Sequence, residues 1–505
     1  MSDRKSAVNL NEISQNLAKI SQIVSGINIS ANTFLKMGKA TPENLRAYRF
    51  HNGRFEFPKL LILLFLFLPL SIYEISRQVF RTIAFKERKP DFLDTANMNY
   101  DSLFVSHFTP AATDAEDLYF GSLPSSNQSV IGNSAVFILN HTRMNTVDLY
   151  KLLKSRKNSA HFINSKSVPV RDLLGIVNNQ FVVGFQMVRK AILPNSHTIG
   201  LRILLIHAAI KQFSKPTIAA IVFVENLEAV VANVNPKRLI ITFEGHSFEL
   251  LALKMIHNKF PNVRVMLYQF APLVRTQFSF FETLKELHQF DLVFTTGRTT
   301  QKYILENARL SKNQVVILGS PKALASNSNM NFEWKRLPRE LVCLFAAEAS
   351  EQDTYGMLDL ALKCSRALPN TMFILRLHPA YLFEKAELVK TIKGFPANLR
   401  LSDRSLEEDL RVASFCVYRS TAVVIQGLIQ GVRPIHYSSF TENELDPLAI
   451  TSLWHVSVTN ASQLVSYFDS IEVRKLSTLS PSLDEMTSAY NDYFQPLSVN
   501  AIVNS

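Results

Sequence analysis

Two stretches decide the fold: MFILRLHP, Met372–Pro379, and FCVYRSTAVVIQGLIQGVRPIHY, Phe415–Tyr437. The first stretch predicts an apolar strand that ends just before His378. The second predicts a strand, a hydroxyl pair at Ser420–Thr421, a helix of about ten residues and another strand. Strands that alternate with helices indicate a parallel sheet, whose ligands bind beyond the carboxyl ends of the strands. Both predicted strand ends therefore belong to one expected ligand site.

That site has the chemistry to bind an anion. The hydroxyls of Ser420 and Thr421, together with the free N–H groups of the helix that they open, suit a phosphate. Arg376, Arg419 and His378 can add positive charge to the same crevice.

Length and composition predict a multidomain globular protein. The chain has 505 residues, of which 47% are hydrophobic and only 15 are glycine, which excludes disordered and collagen-like classes and exceeds one ordinary core. The three cysteines, Cys343, Cys364 and Cys416, have no paired spacing, and two lie in apolar strand-like runs. They are expected to be buried thiols in a reducing compartment. The sequence shows no cysteine–histidine cluster with metal-ligand spacing.

The order of apolar runs predicts an α/β protein with two Rossmann-like domains and an N-terminal helical, membrane-proximal extension. Seven strands are predicted for the first domain, at residues 102–109, 135–142, 217–226, 238–247, 263–272, 291–297 and 314–321. Gly319-Ser320-Pro321 and the polar run that follows it predict a linker. A strand at 341–347 opens the second domain, in which Ser405 and Glu408 predict a capped helix start. The expected divisions are residues 1–95 (extension), 96–325 (first domain), 326–480 (second domain) and 481–505 (polar tail).

The extension carries most of the positive charge. Residues 1–90 contain 14 lysines and arginines against 6 acidic residues, which is +8 of the total net charge of +12. Within it, Leu60–Tyr73 is apolar but shorter than the roughly 20 residues that span a bilayer, and basic residues flank both sides. An interfacial or re-entrant helix on an anionic membrane surface, through residues 54–89, is favoured. A buried core helix and a true span are the alternatives.

A second apolar pattern precedes this segment. Between residues 10 and 27, apolar side chains recur every three or four positions, which predicts a short helix with one apolar face. That face either packs on the body of the protein or mediates self-association.

Three short motifs support a family resemblance: Phe243-Glu244-Gly245, His378–Pro379 and Ser420–Thr421. In this order, across residues 100–480, they resemble motifs of GT-B glycosyltransferases, and specifically of bacterial sialyltransferases and capsule Kdo transferases. Those enzymes use CMP-activated sugars. The sequence departs from the motifs at two points, since one acid rather than two precedes the glycine and Ser-Thr replaces Ser-Ser. Both departures leave the donor sugar open.

Sugar transfer needs a base for the attacking hydroxyl and fixed donors for the departing phosphate. Glu244 is the candidate base, with His246 and Glu249 near enough to orient it or the acceptor. The resemblance implies that His378 hydrogen-bonds or protonates the leaving phosphate. It also implies that the second domain binds the nucleotide sugar and the first binds the acceptor. The implied donor-binding residues are Arg376, Pro379, Arg419, Ser420 and Thr421, with no metal ion and no cofactor.

Weaker acceptor candidates follow other predicted strands of the first domain. They are His107, His141, His246, Gln269 and Arg298, with Asp117 and Arg143 in neighbouring loops.

The resulting hypothesis is a glycosyltransferase of surface polysaccharide (capsule, O-antigen or exopolysaccharide) synthesis. It would transfer Kdo or another nonulosonate from a CMP-activated donor to a glycan or lipid-linked acceptor, at the cytoplasmic face of the cell membrane. One alternative is a teichoic-type polyol-phosphate transferase that uses a CDP-linked donor. Another is a non-catalytic membrane-bound scaffold or export partner. Nucleic acid is not an expected partner, because aromatic residues do not interleave with the basic ones.

Overall fold

The computed structural model describes most of both predicted domains and part of the extension. The described residues are 19–20, 56–84, 99–108, 116–125, 131–140, 146–154, 160–164, 170–193, 198–273, 280–281, 284, 289–323, 341–348, 351–378, 395–438, 446–451, 455–470 and 483–503. Several predictions lie outside them: the apolar pattern at 10–27 except for Lys19 and Ile20, the linker after residue 323, and the candidates His141, Arg143 and Pro379.

The first domain is built on a seven-stranded parallel sheet. Its strands are β1 (Ser102–Phe108), β2 (Ser134–Asn140), β3 (Ala160–Ile163), β4 (Arg238–Thr242), β5 (Arg264–Gln269), β6 (Leu292–Thr295) and β7 (Val315–Ile317). They lie in the order β3-β2-β1-β4-β5-β6-β7, and every pair is parallel. This is a Rossmann-like order, in which the chain first extends the sheet on one side of β1 and then on the other.

The described helices of this region include long apolar ones. They are α1 (Glu56–Ala84), α2 (Thr146–Lys154), α3 (Val170–Ile192), α4 (Ile199–Lys211), α5 (Lys215–Val234), α6 (Ser247–Lys259) and α7 (Arg298–Asn307), with single 3-10 turns at Leu123–Ser125 and Lys312–Gln314. The connection from β3 to β4 consists of α3, α4 and α5, and α1 packs against α3 and α4. A helical layer is thereby attached to the sheet through α5.

Alternation along the strands separates two cores. Leu103 and Val105 of β1 pack with α5 and α6 on one face of the sheet, while Phe104 packs with α2 on the other. Successive side chains of a strand point to opposite faces, so a run that is apolar at every position is buried on both sides.

One predicted strand is wrong. TIAAIVFVEN, residues 217–226, lies inside the 20-residue helix α5. The helix follows Ser214, and Pro216 stands in its first turn, where a missing N–H costs nothing. The β-branched residues suggested a strand, but burial against both the sheet and α3 explains the same apolar run. Instead, the short strand β3 pairs with β2.

The second domain repeats the architecture with six parallel strands. These are β8 (Leu341–Ala346), β9 (Thr371–Arg376), β10 (Leu399–Leu401), β11 (Phe415–Tyr418), β12 (Arg433–Tyr437) and β13 (Val456–Val458), in the order β10-β9-β8-β11-β12-β13. The described helices are α8 (Glu351–Ala367), α9 (Leu406–Val412), α10 (Val423–Leu428) and α11 (Ala461–Asp469), with a 3-10 turn at Pro447–Ile450. The predicted fold class, two Rossmann-like domains, is confirmed.

Local predictions in this domain also hold. Ser405 accepts the Glu408 N–H at 3.2 Å, and the Glu408 carboxylate accepts the Ser405 N–H at 2.8 Å, so α9 begins with the predicted capping box. Cys343, Cys364 and Cys416 are buried free thiols. Cys343 and Cys416 point to opposite faces of the second sheet, as strand alternation requires.

The end of the chain differs from the predicted polar tail. Residues 483–503 form α12 (Leu483–Tyr493) and α13 (Val499–Val503). Tyr490 and Tyr493 of α12 enter a core of the second domain, whereas Ile502 of α13 enters a core of the first. The segment between them hydrogen-bonds the first domain, since the Gln495 N–H donates to the Thr296 carbonyl at 2.9 Å. Leu483, Met486, Tyr490 and Tyr493 recur every three or four positions, which is the spacing of one helix face, so the predicted polar tail is wrong.

The apolar segment of the extension is part of a longer helix than predicted. Helix α1 has 29 residues and continues through Pro69. Leu60 and Phe67 are buried against α3 and α4, but Phe65 is 80% exposed. One side of α1 is therefore packed against the protein and the other is exposed, and the choice among the three alternatives stays a prediction. Among the described helices, α5 alone is long and apolar enough to cross a membrane, and it packs into the first domain.

Candidate functional site

The first half of the candidate site lies where the strand order of the first sheet reverses. β1 and β4 are neighbours, and their connections leave in opposite directions, which opens a crevice beyond their carboxyl ends. His107, near the end of β1, has its Nε2 atom 3.0 Å from Oγ1 of Thr242, the last residue of β4. The His107 ring also contacts the rings of Tyr119 and Phe248. The predicted acceptor candidate His107 is thus held at this crevice.

The loop that carries Glu244 follows β4 directly. Gly245 has a φ of +83°, a left-handed conformation that glycine adopts without strain. The turn directs two backbone N–H groups, of Glu244 and His246, to Oε2 of Glu249 at 3.0 and 2.7 Å. Glu249 is fully buried, and burial raises its pKa to about 7. The Glu249 carboxyl group thus fixes the backbone of the loop, while the Glu244 side chain remains partly exposed.

Glu244 and His246 form an accessible acid–imidazole pair. Oε2 of Glu244 lies 3.2 Å from Nε2 of His246, and the two side chains are 27% and 40% exposed. The His246 ring stacks on Phe248, with centroids 5.6 Å apart. A carboxylate that is oriented by an imidazole and open to solvent can accept a proton from a bound hydroxyl. Glu244 is therefore accessible and paired with an imidazole, and its role as the base stays a prediction.

The second half of the site lies at the corresponding reversal in the second sheet. β8 and β11 are neighbours there, and Glu348 and Ser420 follow them. Oε1 of Glu348 accepts the Ser420 N–H at 2.7 Å. The backbone N–H of a residue predicted to bind a phosphate through its hydroxyl thus already binds a carboxylate oxygen.

His378 lies at the same edge of the second sheet as Ser420. It follows β9, which is separated from β11 only by β8. Two strand spacings of roughly 4.8 Å put the ends of β9 and β11 about 10 Å apart. The fold therefore brings the two central motifs to one edge, with Glu348 between them.

The helix after the hydroxyl pair is shorter than predicted. α10 has six residues and begins at Val423, two positions after Thr421. Oγ1 of Thr421 accepts the Val423 N–H at 3.3 Å. Thr421 therefore stabilises the turn into the helix. The predicted ten-residue helix is wrong, because the helix ends at Leu428 and the chain turns at Gly431, whose φ is +68°.

Both arginines of the predicted donor site are paired inside the protein. Arg376 contacts Asp409 at 2.8 Å, and Asp409 is almost completely buried. Arg419 pairs with Asp353, and the side chains are 8% and 11% exposed. Strand alternation turned both guanidinium groups toward internal carboxylates, whose charge they neutralise. Both guanidinium groups are thus already paired with carboxylates, and their role in donor binding stays a prediction.

Two acceptor candidates have other roles. Gln269 is completely buried, and its side-chain amide donates to the Ala271 carbonyl, so it has no surface for an acceptor. Arg298 is 69% exposed and lies 3.4 Å from Asp492 of α12, so it contacts the C-terminal segment. Asp117 accepts hydrogen bonds from Ser106 and from the N–H groups of Tyr119 and Phe120, which fixes the loop beside His107.

Sequence reasoning missed a polar cluster at the carboxyl edge of β11 and β12. The Tyr418 hydroxyl donates to Asp446 at 2.9 Å, and Nε2 of His455 lies 2.5 Å from the other oxygen of Asp446. Burial lowers the pKa of the neighbouring His436. Sequence reasoning also missed Glu348. His378 and Ser420 were selected because each is a polar residue just beyond an apolar strand, and the same is true of Glu348. In the part of the chain that is described, no three histidine, cysteine or acidic side chains are grouped to hold a metal ion.

No protein-family model matches the chain, and no curated protein matches it. Solved structures do align with it. The kitacinnamycin glycosyltransferase is 10% identical over 80% of this chain and 96% of its own, with a TM-score of 0.44. The spinosyn rhamnosyltransferase is 11% identical over 81% and 99%, with a TM-score of 0.42. A UDP-GlcNAc 2-epimerase from Neisseria meningitidis, bound to UDP-GlcNAc, is 12% identical over 80% and 98%, with a TM-score of 0.41. The fold assignment rests on the two strand orders of this chain.

Proposed function

We propose that the protein is a glycosyltransferase that uses a nucleotide-activated sugar. The proposal rests on one observation: a candidate proton acceptor follows a strand of the first sheet, and candidate phosphate-binding residues follow strands of the second, each at the carboxyl edge. The first domain presents the accessible Glu244–His246 pair, and the second presents His378 and Ser420 at its carboxyl edge. Ligands of such sheets bind at these positions.

The reaction assigned to the site is attack of an acceptor hydroxyl on the anomeric carbon of the donor. Glu244 accepts the hydroxyl proton as the new bond forms, and His246 keeps its carboxylate oriented. The bond from the anomeric carbon to the phosphate oxygen breaks, and the phosphate leaves with its negative charge. His378 donates a hydrogen bond or a proton to that phosphate, and the Ser420 hydroxyl binds it.

We further propose a CMP-activated donor, with Kdo or another nonulosonate as the sugar, and a role in surface polysaccharide synthesis. The support for this finer statement is the order of the three motifs at Glu244, His378 and Ser420. A teichoic-type transferase with a CDP-linked donor makes use of the same architecture. Binding of CMP against CDP-glycerol, measured by calorimetry, separates the two.

Transfer by a Glu244→Gln variant tests the function directly. With a panel of CMP-, CDP- and UDP-linked donors, we expect transfer by the wild type to fall by about 100-fold or more in the variant, the usual range for loss of a general base. Glu228→Gln is the control, because it removes a carboxylate from the same domain that pairs with Lys259. Unchanged transfer by Glu244→Gln refutes this base. No transfer by the wild type with any donor favours the non-catalytic scaffold.

We also propose that the extension binds an anionic membrane surface. On α1, the side chains that face away from α3 and α4 are apolar and exposed: Leu61, Ile62, Phe65, Leu68, Ile72 and Tyr73. Helix α3, which packs against α1, exposes a further apolar stripe: Leu174, Val182, Phe185 and Ile192. A helix that is apolar on all sides and only half covered by protein is typical of one that enters lipid. The charge of +8 in residues 1–90 suits anionic headgroups.

Sedimentation with vesicles tests the membrane proposal. We expect the full chain to bind vesicles that contain phosphatidylglycerol, and Phe65→Ser with Phe185→Ser to weaken binding at least tenfold. Tyr355→Ser removes an exposed aromatic residue from α8 of the second domain and is the control. Equal binding by both variants contradicts the proposal.

A further inference from the structure

Glu249 is a buried carboxyl group that makes no direct contact in the proposed reaction. It lies in the first turn of α6, and its side chain is completely shielded from solvent. The sequence left open whether Glu249 orients the base or the acceptor, and its complete burial leaves no surface for an acceptor. Oε2 accepts the backbone N–H groups of Glu244 and His246 at 3.0 and 2.7 Å. Among the residues that the structure describes, none is hydrogen-bonded to Oε1, which is also buried.

The start of a helix does not require this arrangement. In α9, Glu408 occupies the same third helical position, is exposed, and accepts the Ser405 N–H at 2.8 Å. An exposed carboxylate is thus sufficient to cap a helix of this chain. Glu249 makes the equivalent contact to His246 inside the protein, where a carboxyl oxygen without a hydrogen-bond partner is unfavourable. The burial of Glu249 therefore indicates a role beyond capping.

The additional hydrogen bond of Glu249 identifies that role. The N–H of Glu244 lies two positions before the N-cap residue His246, and an ordinary capping box does not include it. Between these two residues the chain turns at Gly245, whose φ is +83°. One carboxyl oxygen thus holds both ends of the turn. The side chains of the two end residues form the acid–imidazole pair, with 3.2 Å between Oε2 of Glu244 and Nε2 of His246.

We propose that Glu249 is a positioning residue of the transfer reaction, which holds the Glu244–His246 pair in place through the backbone of the loop. This inference rests on the proposed function for the role of the pair, but the fixation of the loop does not depend on that function. A base must lie within hydrogen-bonding distance of the hydroxyl, and a displacement of about 1 Å can slow a reaction about 100-fold. Loss of the two hydrogen bonds should therefore slow the chemical step and leave donor binding by the second domain unchanged.

Transfer kinetics test the positioning role. We expect Glu249→Leu, which accepts neither N–H, to lower kcat by about 10- to 100-fold and to change the KM of the donor by less than about twofold. Glu249→Gln should keep kcat within about threefold of the wild type, because its amide oxygen can accept both N–H groups. Glu408→Leu is the matched control, since it removes the equivalent glutamate of α9 and should leave kcat unchanged. Wild-type kcat in Glu249→Leu, or an equal loss in Glu249→Leu and Glu249→Gln, overturns the inference.

Hydrogen exchange provides a second measurement that needs no activity. A peptide that covers residues 243–248 reports the N–H groups of Glu244 and His246 by mass spectrometry. Glu249→Leu should speed the exchange of these two groups by about tenfold or more, whereas Glu249→Gln should leave it slow. Unchanged exchange in Glu249→Leu overturns the positioning role. Faster exchange in Glu249→Leu, in a protein whose wild type transfers no sugar, refutes the proposed function and leaves the fixation of the loop in place, so the two failures are distinguishable.

Discussion

Replacing Glu348 by glutamine should strengthen nucleotide binding. Oε1 of Glu348 accepts the Ser420 N–H at 2.7 Å, so a carboxylate lies beside a residue predicted to bind the donor phosphate. A phosphate bound at the same N–H would stand roughly 5 Å from this negative charge. At an effective dielectric constant of about 20, the repulsion is about 3 kcal/mol. Solvent and salt reduce it, and we expect a gain of about 1.4 kcal/mol, which is a tenfold lower Kd.

The assay is a calorimetric titration of CMP into the wild type and Glu348→Gln. The glutamine oxygen still accepts the Ser420 N–H, so the change removes charge without removing the hydrogen bond. Glu407→Gln on α9 is the control, since Glu407 is exposed and pairs with Arg411. The difference in Kd should shrink at high salt. Equal or weaker CMP binding by Glu348→Gln would refute the reasoning, because it would mean that no phosphate comes near this N–H.

Three further predictions concern stability. Gly319→Ala should lower the unfolding free energy by about 2–4 kcal/mol, because φ is +92° and the new Cβ would lie 2.2 Å from the Pro496 carbonyl oxygen. Gly356→Ala is the control, because its new Cβ would meet no atom within 4 Å and should leave stability unchanged. Equal melting temperatures for the two variants would contradict this prediction. Arg419→Met should cost about 3–5 kcal/mol in urea unfolding, because it removes the guanidinium group that pairs with the buried Asp353. A double variant that also replaces Asp353 by leucine should regain most of that loss, and no recovery would contradict the reasoning. Burial raises the pKa of Glu249 to about 7, so the native state keeps a proton that the unfolded state has released between about pH 4.5 and 7. The unfolding free energy should therefore fall by a few kcal/mol as the pH rises through this window, and Glu249→Gln should abolish that slope; an identical slope in the variant would disprove the assignment.

Strand runs and their carboxyl ends could be predicted from the sequence, because alternation and burial act over a few residues. The position of Ser420 and His378 at one edge follows from parallel pairing. What Ser420 touches could not be predicted, since Glu348 lies 72 positions earlier in the chain and only the sheet order brings it near. The partners of Arg376 and Arg419 were inaccessible for the same reason, because the direction of a side chain at a strand end depends on the local register.

The helix α5 and the end of the chain show a different limit. Residues 217–226 satisfy the composition of a strand and also that of a helix buried on two sides, and only their packing against α3 and the sheet decides. Residues 481–505 are almost as rich in apolar residues as the rest of the chain, and Leu483, Met486, Tyr490 and Tyr493 recur at helical spacing, so the sequence contained the signal for α12. Yet Tyr493 and Ile502 are each buried in a different domain. The sequence could not show which domain each side chain enters, because those contacts join residues that are far apart in the chain.

The structure of the protein in complex with CMP tests the central claim most directly. The account predicts that the phosphate lies beyond the carboxyl ends of β9 and β11, within hydrogen-bonding distance of the His378 and Ser420 side chains, and that Glu348 has moved away from the Ser420 N–H. It also predicts that the Glu244 carboxylate faces the same space. CMP bound elsewhere on the protein, with Glu348 still on Ser420, would contradict it.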